Sequence, residues 1–134
     1  MGSTTFSGPV TSLNGFIGNT TGTITGNVTG NVTGIHIGTV ATRAGAGAVP
    51  ITASTVQITT TGAAAALTLA NGTAGQLLTL VMTADGGGDA TLTPTTETGF
   101  STIVFGDLGD SVTLQYFTTL GWMIVSNVGA TVNP

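Results

Sequence analysis

The amino-acid sequence predicts an all-β protein in which a compact antiparallel β-sandwich or barrel follows an extended glycine-rich arm. Two observations lead to this expectation. Residues 51–134 consist of short runs of β-branched, aliphatic and aromatic residues, which turn residues interrupt about every 8 to 12 positions. Residues 18–38 instead place a glycine at every fourth position. We therefore expect an N-terminal arm at 1–40, a hinge at 41–50 and a β domain at 51–134.

The first 17 residues hold two aromatic pieces that turn-forming residues separate. Pro9 favours extended backbone around it, and Asn14-Gly15 is a favoured two-residue turn. Too few apolar groups lie nearby to bury large side chains locally, so we expect these side chains to dock on a partner. The alternative is a flexible terminus with incidental aromatic residues. The candidate anchors are Phe6, Val10, Phe16 and Ile17.

The glycine repeat that follows has an even period, so in a strand each repeat presents the same residues to the same side. Ile24, Val28 and Val32 then share one thin apolar face with the glycines. Ordering about 20 such residues costs on the order of 20–40 kcal/mol, which this apolar content cannot offset. We therefore expect the arm to become ordered only against other chains. A flexible Gly/Thr linker is the alternative, although a linker needs no aliphatic residue at a fixed place.

The expected hinge consists of small residues and ends at Pro50. It contains Arg43, the only basic residue of the chain. We expect Arg43 to pair with a carboxylate or a backbone carbonyl of another element or subunit, or else to be exposed on the linker. In the β domain the strands are expected at 55–60, 65–69, 76–83, 90–93, 102–105, 111–118, 122–126 and 130–132. The candidates for the core or a trimer interface are Leu114, Tyr116, Trp122 and Ile124.

The composition excludes several classes of partner. Charged residues make up 4% of the chain and the formal net charge is −4, which argues against nucleic-acid binding. No apolar run is long enough to cross a bilayer, and nothing marks the chain for export or membrane insertion. The chain has 40% hydrophobic residues and few charges, so it is poorly protected against self-association. We infer that partners cover much of its surface.

Catalytic and metal-binding groups are scarce in the sequence. There is no cysteine and no lysine, and His36 is the only histidine, so a nucleophile with its base is hard to assemble. Asp85 and Asp89 flank three glycines, which favours a tight hairpin over a calcium site. We expect no enzyme activity, no metal and no cofactor.

Both ends of the chain resemble small virion structural proteins of tailed bacteriophages, particularly marine and cyanobacterial phages. The resemblance is carried by residues 6–10 and 14–18, the Gly-Asn-Val-Thr repeats, and residues 109–115, 121–122 and 127–131. It implies a homotrimeric capsid decoration (cement) protein on the virion surface, made in the host cytoplasm. Such a protein stabilises the capsid through contacts of its arm with the major capsid protein and neighbouring decoration subunits.

The alternative is a tail-fibre or baseplate subunit that binds a host glycan, with Trp122 and Tyr116 among exposed Asn and Thr residues as the sugar platform. One tryptophan and one tyrosine are a thin supply for such a platform. A hydrolase is disfavoured by the scarcity of catalytic groups.

Overall fold

The computed structural model describes residue 35 and residues 37–134, and this part of the chain consists of ten β-strands without a helix. The chain divides into two units, residues 1–34 and 35–134, and all ten strands belong to the second. The strands are β1 (Val40–Ala44), β2 (Gly47–Ala48), β3 (Thr55–Thr59), β4 (Ala65–Leu69), β5 (Leu77–Ala84), β6 (Ala90–Pro94), β7 (Thr102–Phe105), β8 (Ser111–Phe117), β9 (Gly121–Val128) and β10 (Thr131–Asn133).

The sequence-based strand positions are confirmed for β3 to β10, because each observed strand overlaps the expected one. The residues expected to form a hinge, 41–50, contain all of β2 and most of β1. These two strands pair with β3 and β4, respectively.

The strands form two five-stranded sheets. Sheet A has the order β1-β3-β5-β8-β9, and sheet B has the order β10-β7-β6-β4-β2. From β1 to β6 the chain alternates between the sheets, so it completes three coils, and every pairing within these coils is parallel. Strands β7 to β10 pair antiparallel with their neighbours.

The expectation of an antiparallel domain is therefore wrong for the coils, because both sheets are mixed. Parallel neighbours need a crossover connection, which is usually a helix. Here the strand of the opposite sheet provides the crossover, so β2 carries the chain from β1 to β3 and β4 carries it from β3 to β5.

The connections from sheet A to sheet B stack on one another at one end of the coils. Gly45 N donates to Thr59 O and Thr60 N donates to Ala84 O, each at 2.9 Å, so successive connections are joined by backbone hydrogen bonds. A Cβ at Gly86 would lie 2.5 Å from Thr61 Cα and 2.6 Å from Thr60 O, which is closer than real Cβ atoms approach other atoms. The glycines between β5 and β6 therefore allow two backbones to touch.

The inner faces of both sheets contribute to one buried core. Alternate residues along each strand point into this core. In β3, Val56 and Ile58 are fully buried, whereas Gln57 between them is only partly buried. Pairing aligns the inward residues in rows across sheet A, and Val56, Leu80 and Val112 occupy one such row. The largest fully buried side chain is that of Trp122 in β9.

Candidate protein-contact face

The candidate anchors of the arm all lie outside the described residues. The structure therefore gives no position for the side chains that the sequence assigns to partner binding in this segment. They are Phe6, Val10, Phe16, Ile17, Ile24, Val28 and Val32.

The four candidates for the core or a trimer interface lie on adjacent strands of sheet A. Leu114, Tyr116 and Trp122 are buried in the core, and Ile124 is partly buried and packs against it. The rings of Tyr116 and Trp122 meet edge to face, with centroids 5.2 Å apart and planes at 68°. The Trp122 indole N–H donates to the carbonyl oxygen of Ala70 at 2.9 Å.

These positions correct the expectation of a sugar platform made of Tyr116 and Trp122. Trp122 is 0% exposed and Tyr116 is 8% exposed, so neither ring can stack on a glycan. The two rings are inward because they occupy paired positions of β8 and β9 on the core side of the sheet.

The acidic side chains build turns rather than a reactive cluster. One carboxylate oxygen of Asp110 accepts hydrogen bonds from the backbone N–H groups of Gly106 and Asp107, at 2.8 and 3.0 Å. One carboxylate oxygen of Asp85 accepts from the backbone N–H of Gly87 at 2.7 Å, which stabilises a turn. The expected hairpin at Asp85–Asp89 is wrong, because this turn connects β5 of sheet A to β6 of sheet B. Across residue 35 and residues 37–134, no three His, Cys, Asp or Glu side chains come together as a metal-ligand group.

The outward surface of sheet A, which we call face A, is an array of uncharged side chains in register. One row across all five strands consists of Val40, Thr55, Thr79, Thr113 and Ser126. A second row, two residues further along the strands, consists of Thr42, Gln57, Val81, Ser111 and Val128. With strands about 4.8 Å apart, each row spans roughly 19 Å.

Hydrogen bonds within face A engage several of its polar groups. The hydroxyls of Thr79 and Thr113 lie 3.1 Å apart across β5 and β8. The Thr42 hydroxyl donates to the side-chain oxygen of Gln57 at 3.3 Å. These hydrogen bonds occupy part of the polar capacity of the face.

The exposed large hydrophobic side chains of the described strands all belong to sheet A. Leu77 is 54% exposed in β5, and Val125 and Val128 are 59% and 65% exposed in β9. Sheet B, by contrast, presents mainly alanine and threonine outward, such as Ala66, Thr68 and Thr93. The outward surfaces of the two described sheets therefore differ in their exposed large hydrophobic side chains. The exposed large hydrophobic residues of the sheet A strands are Val40, Leu77, Phe117, Val125 and Val128.

The sequence analysis did not identify face A. The sequence feature that relates to face A is the alternation in β3 and β8, where Thr, Gln and Ser alternate with apolar residues. That alternation shows which side of a strand is polar, but the rows depend on strand order and register, which alternation does not determine.

Neither a protein-family model nor a curated protein matches the chain. Within the described residues, no cavity large enough for a ligand is present. The same residues contain no helix long and apolar enough to cross a membrane.

Proposed function

We propose that the chain is a non-enzymatic capsid decoration protein of a tailed bacteriophage, which binds the major capsid protein and neighbouring decoration subunits. Face A carries the proposal: it is uncharged, and the large exposed apolar side chains of the described strands lie on its sheet. Apolar surface collected on one side of a molecule is typical of a protein-contact region. The resemblance of both chain ends to phage virion proteins supports the same assignment.

The proposal gives the two parts of the chain different tasks. The arm, residues 1–40, contributes strand addition and apolar anchoring on the capsid, as its repeat predicts from sequence. Face A contributes an uncharged contact with a neighbouring protein. A homotrimer belongs to the proposal because the resemblance implies it.

Lysine substitutions test whether face A is the contact. Gln57→Lys and Gln115→Lys place a charge on face A at partly buried positions of β3 and β8. Thr91→Lys and Thr102→Lys place the same charge at partly buried positions on the outer surface of sheet B and serve as matched controls. The face A variants should occupy purified virions at least tenfold less than the wild type, because a charge is costly to bury unpaired. Equal occupancy of all four variants would show that face A is not the contact.

Copy number separates a capsid role from a role in the tail. A decoration protein is expected in fixed proportion to the major capsid protein, which quantitative electrophoresis of purified virions measures. A much smaller copy number would instead support the tail-fibre or baseplate alternative.

Deletion of residues 1–34 tests the arm and leaves the unit 35–134 complete. The shortened protein should keep its cooperative unfolding but lose most of its stabilising effect on the capsid. The readout is the temperature at which virions release their genome. Release at the same temperature with the full and the shortened protein would contradict a function for the arm.

A further inference from the structure

Among residues 37–134, strand β1 is an edge of sheet A, and the hydrogen bonds that it makes to β3 show which of its backbone groups point away from that strand. Thr39 O accepts from Thr55 N and Gly45 N donates to Thr59 O, so the odd-numbered residues bond to β3. In a parallel ladder the alternate residues then direct their N–H and C=O groups away from the partner strand. These groups belong to Val40, Thr42 and Ala44, and all three residues are exposed. The carbonyl oxygen of Ala44 already accepts one hydrogen bond, from the Arg43 guanidinium at 3.1 Å, and has a second lone pair for another donor.

The other edge strands are less available. At one end of β9, Trp122 N donates to Thr96 O and Trp122 O accepts from Thr98 N, so a loop covers this part of the edge. Further along, the pairing of β9 with β8 shifts register between Thr113 and Leu114, and such an irregularity hinders strand addition. At the edges of sheet B, β2 has two residues and β10 has three.

We propose that β1 pairs with β1 of a second copy, antiparallel and across a twofold axis at Thr42. In this register Thr42 faces the second Thr42, and Val40 faces Ala44 of the other copy. Each facing pair exchanges two backbone hydrogen bonds, as the hydrogen-bonded pairs of an antiparallel ladder do. The two sheets A then form one continuous ten-stranded sheet, twice the five strands of each copy.

The side chains around the edge agree with this register. On face A, Thr42 meets Thr42 and Val40 meets Ala44, so polar groups face polar groups and apolar groups face apolar groups. Neither β1 nor β2 contains a carboxylate, so pairing of the two edges does not bring acidic residues of the two copies together, although the chain has a net charge of −4.

Arg43 is the one charged side chain on these strands, and an inward charge on an edge strand limits how other strands can join it. Its guanidinium donates to the carbonyl oxygens of Ala44, Ala46 and Ala48, which holds it toward its own β1–β2 turn. In the proposed register the residue opposite Arg43 is Ala41 of the second copy, which is small enough to leave this arrangement intact.

The contact is small, since three residue pairs bury far less than the roughly 1,200–2,000 Å² of a stable interface. We therefore expect a weak pair that gains strength when many copies are held close together. The pairing does not depend on the proposed virion function and applies to the purified full-length chain. In a trimeric coat it connects subunits of neighbouring trimers.

Disulfide trapping tests the register. The chain has no cysteine of its own, so any disulfide must join the introduced cysteines. The Cα atoms of a hydrogen-bonded pair lie about 5.5 Å apart, within reach of a disulfide. Thr42→Cys should form a disulfide-linked dimer at least tenfold faster than Thr68→Cys on the outer surface of sheet B. Val40→Cys and Ala44→Cys should each crosslink slowly alone but rapidly when mixed.

A proline variant separates edge pairing from chance collision. Thr42→Pro removes an N–H that points away from β3, so β1 keeps its bonds to β3. When Thr42→Pro is combined with each of the Val40→Cys and Ala44→Cys variants, crosslinking in the mixture of the two chains should fall at least tenfold. The midpoint of unfolding should not change. Crosslinking of Thr42→Cys at the rate of Thr68→Cys, or mixed crosslinking that survives the proline, would overturn the proposal.

Discussion

The coils formed by β1 to β6 and the C-terminal strands β7 to β10 share one core but are stabilised in different ways. In the coils, backbone lies close to backbone, as where Gly86 approaches Thr60 and Thr61. In the C-terminal strands, large side chains fill the interior, with Phe105 and Trp122 fully buried. Small residues therefore allow the close approach of the coil connections, while aliphatic side chains such as Ile58 and Leu80 fill the coil interior. The fully buried aromatic side chains, Phe105 and Trp122, belong to the C-terminal strands.

Trp122 connects the two regions. Its indole N–H bonds to Ala70 O in the connection from β4 to β5, and its ring also lies close to Gly72 in that connection. Its backbone N–H bonds to Thr96 O in the connection from β6 to β7. One residue of β9 thus holds both connections against the end of the core.

The largest effect is expected for Trp122→Ala. Deleting a fully buried tryptophan leaves a cavity, and we expect the free energy of unfolding to fall by about 3–5 kcal/mol. Trp122→Phe keeps a ring but loses the hydrogen bond to Ala70 O, so its loss should be smaller, about 1–3 kcal/mol. Urea unfolding followed by circular dichroism measures both changes. A loss below about 1 kcal/mol for the alanine variant would mean that this residue does not hold the two regions together.

The next effect concerns the coils. In Gly86→Ala the new methyl group meets backbone atoms that cannot rotate away, and we expect a loss of about 1–3 kcal/mol. Gly62→Ala is the matched control, because its Cβ would make only an ordinary contact, 3.7 Å from Gly86 O. The control should change the unfolding free energy by no more than about 0.5 kcal/mol. Equal losses for both variants would show that close backbone stacking is not what Gly86 provides.

The sequence predicts β3 to β10 well because their residues alternate or form short aliphatic runs between turns. It does not predict β1 and β2, whose residues are mostly small and whose strand conformation depends on pairing with β3 and β4. The parallel order is also hidden, because turns spaced at regular intervals fit a hairpin as well as a crossover to the opposite sheet. Arg43 donates to a backbone carbonyl of another element, that of Ala48 in β2, as the sequence leads one to expect, and it also binds carbonyls of its own strand and turn.

Face A is harder to predict from sequence than the strands. Thr79 and Thr113 lie 34 positions apart in the sequence, and only the pairing of β5 with β8 makes them neighbours. From sequence, Trp122 is a candidate both for the core and for a sugar-binding platform. The pairing of β8 with β9 places its ring beside that of Tyr116 on the core side of these strands. The sequence left the core, a trimer interface and a sugar platform open for these two residues, and the structure places both in the core.

The smallest effect is expected where the two regions meet on face A. The hydroxyls of Thr79 in the coils and Thr113 in the C-terminal strands lie 3.1 Å apart, and both side chains are partly exposed. Because water can replace a lost partner there, Thr79→Val and Thr113→Val should each change the unfolding free energy by about 0.5 kcal/mol. The double variant should reveal a coupling energy of about 0.2–1 kcal/mol in a double-mutant cycle. A coupling above about 2 kcal/mol would mean that this polar pair, and not the buried aromatic contacts, joins the C-terminal strands to the coils.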